Sequence, residues 1–265
     1  MRFRTAEAVV NRARAGRSLA GSRLEGFSVE GREFAGLDLS DAEFVDMDLS
    51  GADLTGAKLW RATFEDCRLD DADLSDSALS RATFDDRCSL VGANLRRAKL
   101  VGANLSRVDL RGANAYGADF SGATLEGARL AGAEFRKADL EGANLVKADL
   151  QFAVLHGANL RRAHLPSPGM MLLAGWMECS AELTALLMRL DAGAHPDPAA
   201  FERWASGGVC PYSGVYVRRA ANFSESRRWW RPGPAPTLWE AWSAVRAEHC
   251  PDWPDAEPQA PKEGA

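Results

Sequence analysis

The sequence predicts an all-β solenoid, a rod of short strands joined by evenly spaced turns, and two observations carry that reading. A Leu or Phe recurs every fifth residue from Leu19 to Phe84 and again from Leu90 to Leu165; of these 30 units, 28 have Leu or Phe at the centre, the exceptions being Val29 and Ala115. In 20 of the 30, the residue two before the centre is Ala. Residues two apart on an extended chain face the same way, so each unit offers one small and one large side chain to a common interior. A period of five suits neither a 3.6-residue helix nor an unbroken strand, so every unit must contain a turn. Self-similarity at a fixed period is the mark of a stacked-repeat architecture.

The elements follow in chain order. TAEAVVNRARA, residues 5–15, reads as a short helix, and residues 1–16 are assigned as an N-terminal capping helix because the end of a repeat stack exposes unpaired backbone. The repeats occupy residues 17–165. In SGADL, VGANL and EGANL, the Gly before the Ala supplies the backbone freedom that a turn needs. The beat slips once, in FDDRCSL, where six residues separate Phe84 from Leu90. At PSPG the repeats end, and seven of the eight tryptophans lie beyond it. Residues 166–250 are read as a Trp-rich, mainly α-helical module, and the tail 251–265 as disordered. Within the module, Leu172, Leu173, Trp176, Leu183, Leu187 and Leu190 follow helical spacing, with Ser180 as an N-cap dividing two helices. Asp197 and Pro198 open a short helix over AAFERWA. VCPYSGVYVRRAANF suggests a hairpin, and Thr237 with Glu240 forms a capping box that opens LWEAWSAVRAEH and sets Trp239 and Trp242 on one face.

The units ANLRR, ADLEG and ANLVK resemble the A-(D/N)-L-x-x signature of the pentapeptide-repeat family. The resemblance covers residues 17–165 and implies a right-handed quadrilateral β-helix, with one unit per side, four units per coil, and Ala and Leu or Phe inside. Thirty units then make about seven and a half coils, a rod on the order of 35 Å long at about 4.8 Å per coil. Residues 20 apart should stack. One inward column then runs Phe27, Met47, Cys67, Cys88, Val108, Ala128, Ala148, crossing the slip with one residue added, so the extra residue is expected to be a bulge at a corner. Phe44, Phe64 and Phe84 form an inward ladder, and Cys67 and Cys88 read as small buried apolar residues, with a disulfide as the weaker alternative.

Charge divides the rod. Residues 25–86 carry a net −12 and residues 87–165 a net +5, within a chain of net charge −5 and pI near 5.5. That balance argues against a direct nucleic-acid binder, whose affinity rests on cations neutralising phosphates. A corner column reads Asp46, Asp66, Asp86 and then Arg107, Gly127, Lys147. With Asp48, Glu65, Asp70, Asp71 and Asp85 beside it, the acidic part of this column is the candidate partner-binding surface. The plainer explanation is that Asp suits turns and keeps β-rods soluble. The resemblance extends to members that imitate the girth and charge of duplex DNA, bind DNA gyrase or topoisomerase IV, and protect it from quinolones or other poisons. This chain lacks the inserted loops of the quinolone-resistance branch. The alternative is a structural protein–protein interaction scaffold with an unrelated partner.

Val146, Phe152 and Val154 should point outward near the end of the rod. With Trp176, Trp239 and Trp242, they form a candidate surface either for docking of the C-terminal module or for homodimerisation. Trp60 also points outward, either covered by a neighbouring segment or serving as a partner anchor. No apolar stretch reaches the length of a membrane span or signal peptide, so the chain is read as cytoplasmic and without a membrane partner. Five scattered cysteines, without a C-x-x-C pair, signal neither a disulfide framework nor a zinc site. His156, His164, His195 and His249 pair with no nucleophile, and no phosphate-binding glycine pattern occurs. No metal, cofactor or enzymatic activity is expected.

Overall fold

Pairing between successive turns of the chain follows a step of 20 residues, as Asp48↔Arg68, Asp53↔Asp73 and Lys58↔Ala78 show, and all of it is parallel. With a turn every five residues, a step of 20 closes a four-sided coil. The computed structural model describes residues 1–29, 34–166, 180–194, 197, 199–207 and 230–249.

One side of the rod has true strands: β1 (Arg2–Phe3), β2 (Arg23–Glu25), β3 (Glu43–Val45), β4 (Thr63–Glu65) and β5 (Thr83–Phe84) stack in chain order as one parallel sheet. This is side one. Sides two, three and four are centred in the third coil on Leu69, Leu74 and Leu79, and there each unit contributes a single bridge residue.

The corners explain the composition. At most of them, the N–H of the inward Ala bonds to the carbonyl three residues back, as Ala52 does to Leu49 and Ala57 to Leu54. The residue just before the Ala has a left-handed backbone, as in a type II turn. Gly51, Gly56 and Gly102 meet that demand at φ of 64–66°. Thirteen of the described non-glycine residues meet it too, among them Asp46, Asp66, Arg97, Lys147 and Phe152, at φ of 51–61°.

The Asp or Asn between the Ala and the centre has its own task. Its carboxylate or amide oxygen accepts the N–H two residues on, as Asp53 does from Thr55 (2.9 Å), Asp73 from Ser75 (2.9 Å) and Asn104 from Ser106 (3.2 Å). These Asx turns stiffen each unit across its centre.

Ala and Leu fill an unbroken interior. Phe44, Phe64 and Phe84 stack there with ring centroids 4.6 and 4.4 Å apart and planes within 9° and 2°. That spacing is the coil rise itself, because in-register parallel strands hold identical side chains one repeat apart. Met47, Cys67, Cys88, Val108, Ala128 and Ala148 are all buried, and Phe27 is half-buried at the mouth of the column.

The slip is absorbed at one corner. Before it, the corner N–H of each coil on side one bonds to a backbone carbonyl of the next, as Gly26 does to Val45 and Asp46 to Glu65. The next in that series, the Asp66 N–H, bonds instead to the Asp85 carboxylate at 3.2 Å. The Asp85 carbonyl closes a turn to the Cys88 N–H, and the same carboxylate takes the Arg87 N–H and the Cys88 thiol at 3.2 and 3.1 Å. Pairs that straddle the corner are separated by 21 residues, as Arg68↔Ser89 and Thr83↔Asn104 are, and the step of 20 resumes at Ser89↔Asp109. The extra residue is a corner bulge, as expected, and a side chain replaces the displaced backbone acceptor.

Both ends join the core. Thr5 caps α1 (Ala6–Arg14), its hydroxyl oxygen accepting the Ala8 N–H, and Val9 is fully buried with Phe3 in the apolar cluster that runs the length of the rod. At the other end that cluster continues through Leu165 to Leu183 of α2 (Ala181–Ala194) and Val245 of α4 (Leu238–His249). Between these helices lies α3 (Ala199–Ala205), whose Phe201 and Trp204 form a smaller cluster with Met188, Ala192 and Trp230. Ser180 caps α2 through the Leu183 N–H, and Thr237 with Glu240 makes the reciprocal box at α4. The hairpin suggested within 209–223, Trp176 and the tail 251–265 lie outside the described residues, as does the side chain of Trp242.

Candidate functional site

The eight carboxylates singled out in the sequence divide by use. Asp48 serves its own Asx turn with the Ser50 N–H, and an Arg68 nitrogen lies 3.7 Å away. Asp70 accepts from the Ser89 hydroxyl and the Val91 N–H of the next coil. Asp85 is the acceptor that holds the slip together. Burial pushes its carboxyl up, but bonds from the Cys88 thiol, the Asp66 and Arg87 N–H groups and the Arg87 side chain outweigh this and hold it below the ordinary aspartate value. These three residues also carry hydrogen bonds within the fold.

The other five point outward. Asp66 is paired with Arg87 at 3.0 Å, and Asp86 faces Arg107 at 3.7 Å, each with about half its side chain exposed. Among the described residues Asp46, Glu65 and Asp71 have no ion-pair or side-chain hydrogen-bond partner, and all three are exposed. Asp46 stands on the rim of a shallow depression of about 300 Å³ that also takes in Phe27, Met47, Asp48, Asp66 and Arg68.

Backbone need and charge can be separated at the corners. A left-handed corner calls for Gly or a residue that tolerates positive φ; it does not call for a negative one. Among the left-handed non-glycine corners, Asp41, Asp46, Asp66, Asp71 and Asp76, with Arg61 and Arg81, all precede the slip. After it, among the described residues, stand Arg97, Arg107, Lys137, Lys147 and Arg162 with Phe152, and no carboxylate. Cations thus stand at such corners on both sides of the slip and carboxylates only before it, a confinement that the turn alone does not impose.

The thiols at the slip are free and buried. The hydrogen bond shared with Cys67, burial, and the Asp85 carboxylate all push the Cys88 thiol upward, so it stays protonated and behaves as core. Among the described residues, no group of His, Cys, Asp or Glu is arranged to hold a metal ion, and no helix is long and apolar enough to cross a membrane.

At the C-terminal end, Val146 is 37% exposed and Phe152 and Val154 are half-buried, while Trp239 on α4 is 39% exposed. The side chains that join the helices to the rod's apolar cluster are Leu183 and Val245, with Leu186, Leu187 and Ala244 at its edge. On α4 Val245 and Ala244 carry that contact, and Trp239 is not among the residues packed there.

A different surface drew little notice in the sequence. Trp60 and Val101 are 40% and 39% exposed on side four, two coils apart in one outward column. Twenty-residue stacking, extended by one across the slip, was the signal that could have found it.

A family model for pentapeptide repeats matches in eight copies, over residues 18–56, 48–86, 88–127 and 128–165. No curated protein matches the sequence. Among solved structures, a trypsin-treated form of QnrB1, a plasmid-mediated fluoroquinolone resistance protein, is similar at a TM-score of 0.50 and 21% identity, covering 64% of this chain and 88% of that one. HetL, a pentapeptide repeat protein involved in heterocyst differentiation regulation from the cyanobacterium Nostoc sp. strain PCC 7120, is 27% identical at a TM-score of 0.32, over 62% of this chain and 93% of that one. With its repeats matched from residue 18 to residue 165, over half its length, the chain belongs to the pentapeptide-repeat family, whose members form right-handed quadrilateral β-helices.

Proposed function

We propose that this is a non-catalytic binding protein that engages a bacterial type II topoisomerase, DNA gyrase or topoisomerase IV, through the acidic corner of its first coils, and so protects the enzyme from poisons. The observation that carries the reading is the confinement of the left-handed carboxylate corners to the first coils: the turn geometry explains why polar residues stand there, and does not explain why the carboxylates stop at the slip. The net −12 of residues 25–86 spread over about 15 Å gives roughly one charge per 1.2 Å, against about 1.7 Å in duplex DNA. The fold shared with a fluoroquinolone resistance protein supports the same reading.

In this proposal Asp46, Glu65, Asp66, Asp71 and Asp86 meet the partner, and Asp48, Asp70 and Asp85 hold the surface in shape. Helix α1 closes the first coil, and the C-terminal helices cover the last. The test is a gyrase supercoiling and drug-stabilised cleavage assay with the purified protein at micromolar concentration. Inhibition of supercoiling, or rescue from the poison, is expected. If the protein does neither, the topoisomerase reading fails.

A further inference from the structure

Side four is the side on which the acidic half of the rod is not acidic. Its outward middle column holds Trp60, Ser80 and Val101, whose carbonyls accept the N–H groups of Asp41, Arg61 and Arg81 in turn, so the three stand one above another. One flank is Lys58, Ala78, Lys99, linked by the bridges Lys58↔Ala78 and Ala78↔Lys99. The other flank is the left-handed corner of Arg61, Arg81 and Gly102.

The apolar centre is uncovered. Trp60 and Val101 stand about 10 Å apart at the usual coil rise, as two of the most exposed large apolar side chains of the rod. The Arg61 guanidinium lies 4.3 Å from the Trp60 ring centroid and holds one face of the indole. Arg61 also pairs with Asp41, and Lys58 lies 3.9 Å from Asp38. Arg81 and Lys99 are exposed and have no ion-pair partner among the described residues. The patch is therefore an aromatic and a β-branched side chain between two rows of cations, with two charges left over. Trp and Arg in such a setting are the residue types that dominate binding energy at protein interfaces.

We infer that side four over these coils docks an acidic, apolar-bearing segment of a partner protein. Such a segment would set an aliphatic side chain across Trp60 and Val101 and its carboxylates on Arg81 and Lys99. A nucleic acid fits less well. Two unpaired cations are few for phosphate-driven affinity, one face of Trp60 is already occupied by Arg61, and Val101 has nothing to offer a phosphate. This surface does not include the acidic corner, so it stands or falls independently of the topoisomerase reading.

The experiment is fluorescence anisotropy with the full chain and three labelled probes: a short peptide of Glu, Ala and Leu, the matching peptide with Lys in place of Glu, and a short DNA duplex. The acidic peptide should bind, more weakly as salt rises, and the basic one should not. Trp60→Ala should weaken binding about tenfold. Arg81→Asn with Lys99→Gln, in which Asn keeps a residue tolerant of the left-handed corner, should weaken it similarly and flatten the salt dependence. Unchanged melting temperatures would establish that both variants fold. No binding of the acidic peptide at millimolar concentration overturns the inference, as does equal binding of both peptides or indifference to Trp60→Ala. Tighter binding of the duplex, lost on the Arg81 and Lys99 changes, would make the patch a nucleic-acid site instead.

Discussion

Arg87 Nη1 lies 3.0 Å from Asp66 Oδ2, so a residue of the slip neutralises a carboxylate of the coil before it. Its second nitrogen reaches Asp85 at 3.2 Å. The slip is thus a small network in which Asp85 replaces a missing backbone acceptor and Arg87 balances the added charge.

Asp85 should therefore matter more than Arg87. Arg87→Ala removes exposed, solvent-screened ion pairs and should change stability little. Asp85→Ala strands the Asp66 N–H and opens the corner, and should cost about 1–2 kcal/mol in urea unfolding at neutral pH. The carboxyl is held below its ordinary 3.8 in the folded state. Its charged form thus contributes stability above about pH 4, and that contribution is lost as pH falls through the folded value. The gap between wild type and Asp85→Asn should shrink as pH falls below about 4, and a gap that stays constant would count against this role.

Phe64 is stacked on both faces, by Phe44 and Phe84, and is buried. Phe64→Ala should cost about 3–5 kcal/mol, since a rod core cannot collapse sideways around a lost ring. Phe84→Ala, with one of these stacking neighbours, should cost less. Denaturant midpoints of the two variants check the order.

Lys147 adopts φ 60° at its corner, and its Glu126 partner is 3.7 Å away and exposed. Relief of the left-handed strain is worth about 1–2 kcal/mol, against about 0.5–1 for the added freedom of glycine in the unfolded chain. Lys147→Gly should therefore stabilise the protein by about 0.5 kcal/mol, and thermal unfolding can resolve the sign.

Asp46, Asp66 and Asp86 changed together to Asn should abolish any effect on gyrase. Stability should stay within about 1 kcal/mol, because Asn tolerates the left-handed corners of Asp46 and Asp66 and the lost pairs are exposed. Circular dichroism melts separate that outcome from unfolding, which would show these carboxylates to be structural.

Much of the fold could be read in advance. The five-residue beat placed Leu54, Ala57 and their equivalents inside, and adding one residue at the slip kept Cys67 and Cys88 in one buried column. The caps at Ser180 and Thr237 were legible because a capping side chain and its N–H lie three residues apart in sequence. The candidate site was harder. Asp46 and Asp48 look alike in sequence, yet Asp48 bends back on Ser50 and Asp46 faces solvent. Asp85 looked like one more surface charge, because the vacancy it fills, on the Asp66 N–H, belongs to a residue nineteen positions away. Trp239 was read as a docking or dimerisation residue; the periodic pattern does not say which stripe of α4 meets the rod, and Val245 is the side chain of α4 buried in the rod's apolar cluster.

By itself, the sequence determined the repeat, the inward and outward positions, the bipolar charge and the place of the slip, because each is a local alternation or a count. Which carboxylates remain available, how the slip is closed, and that Trp60 and Val101 share one uncovered patch were decided only by the tertiary structure. Hydrogen bonds and charges pair across coils, between residues about twenty positions apart, and whether a side chain is free depends on what the neighbouring coil sets beside it.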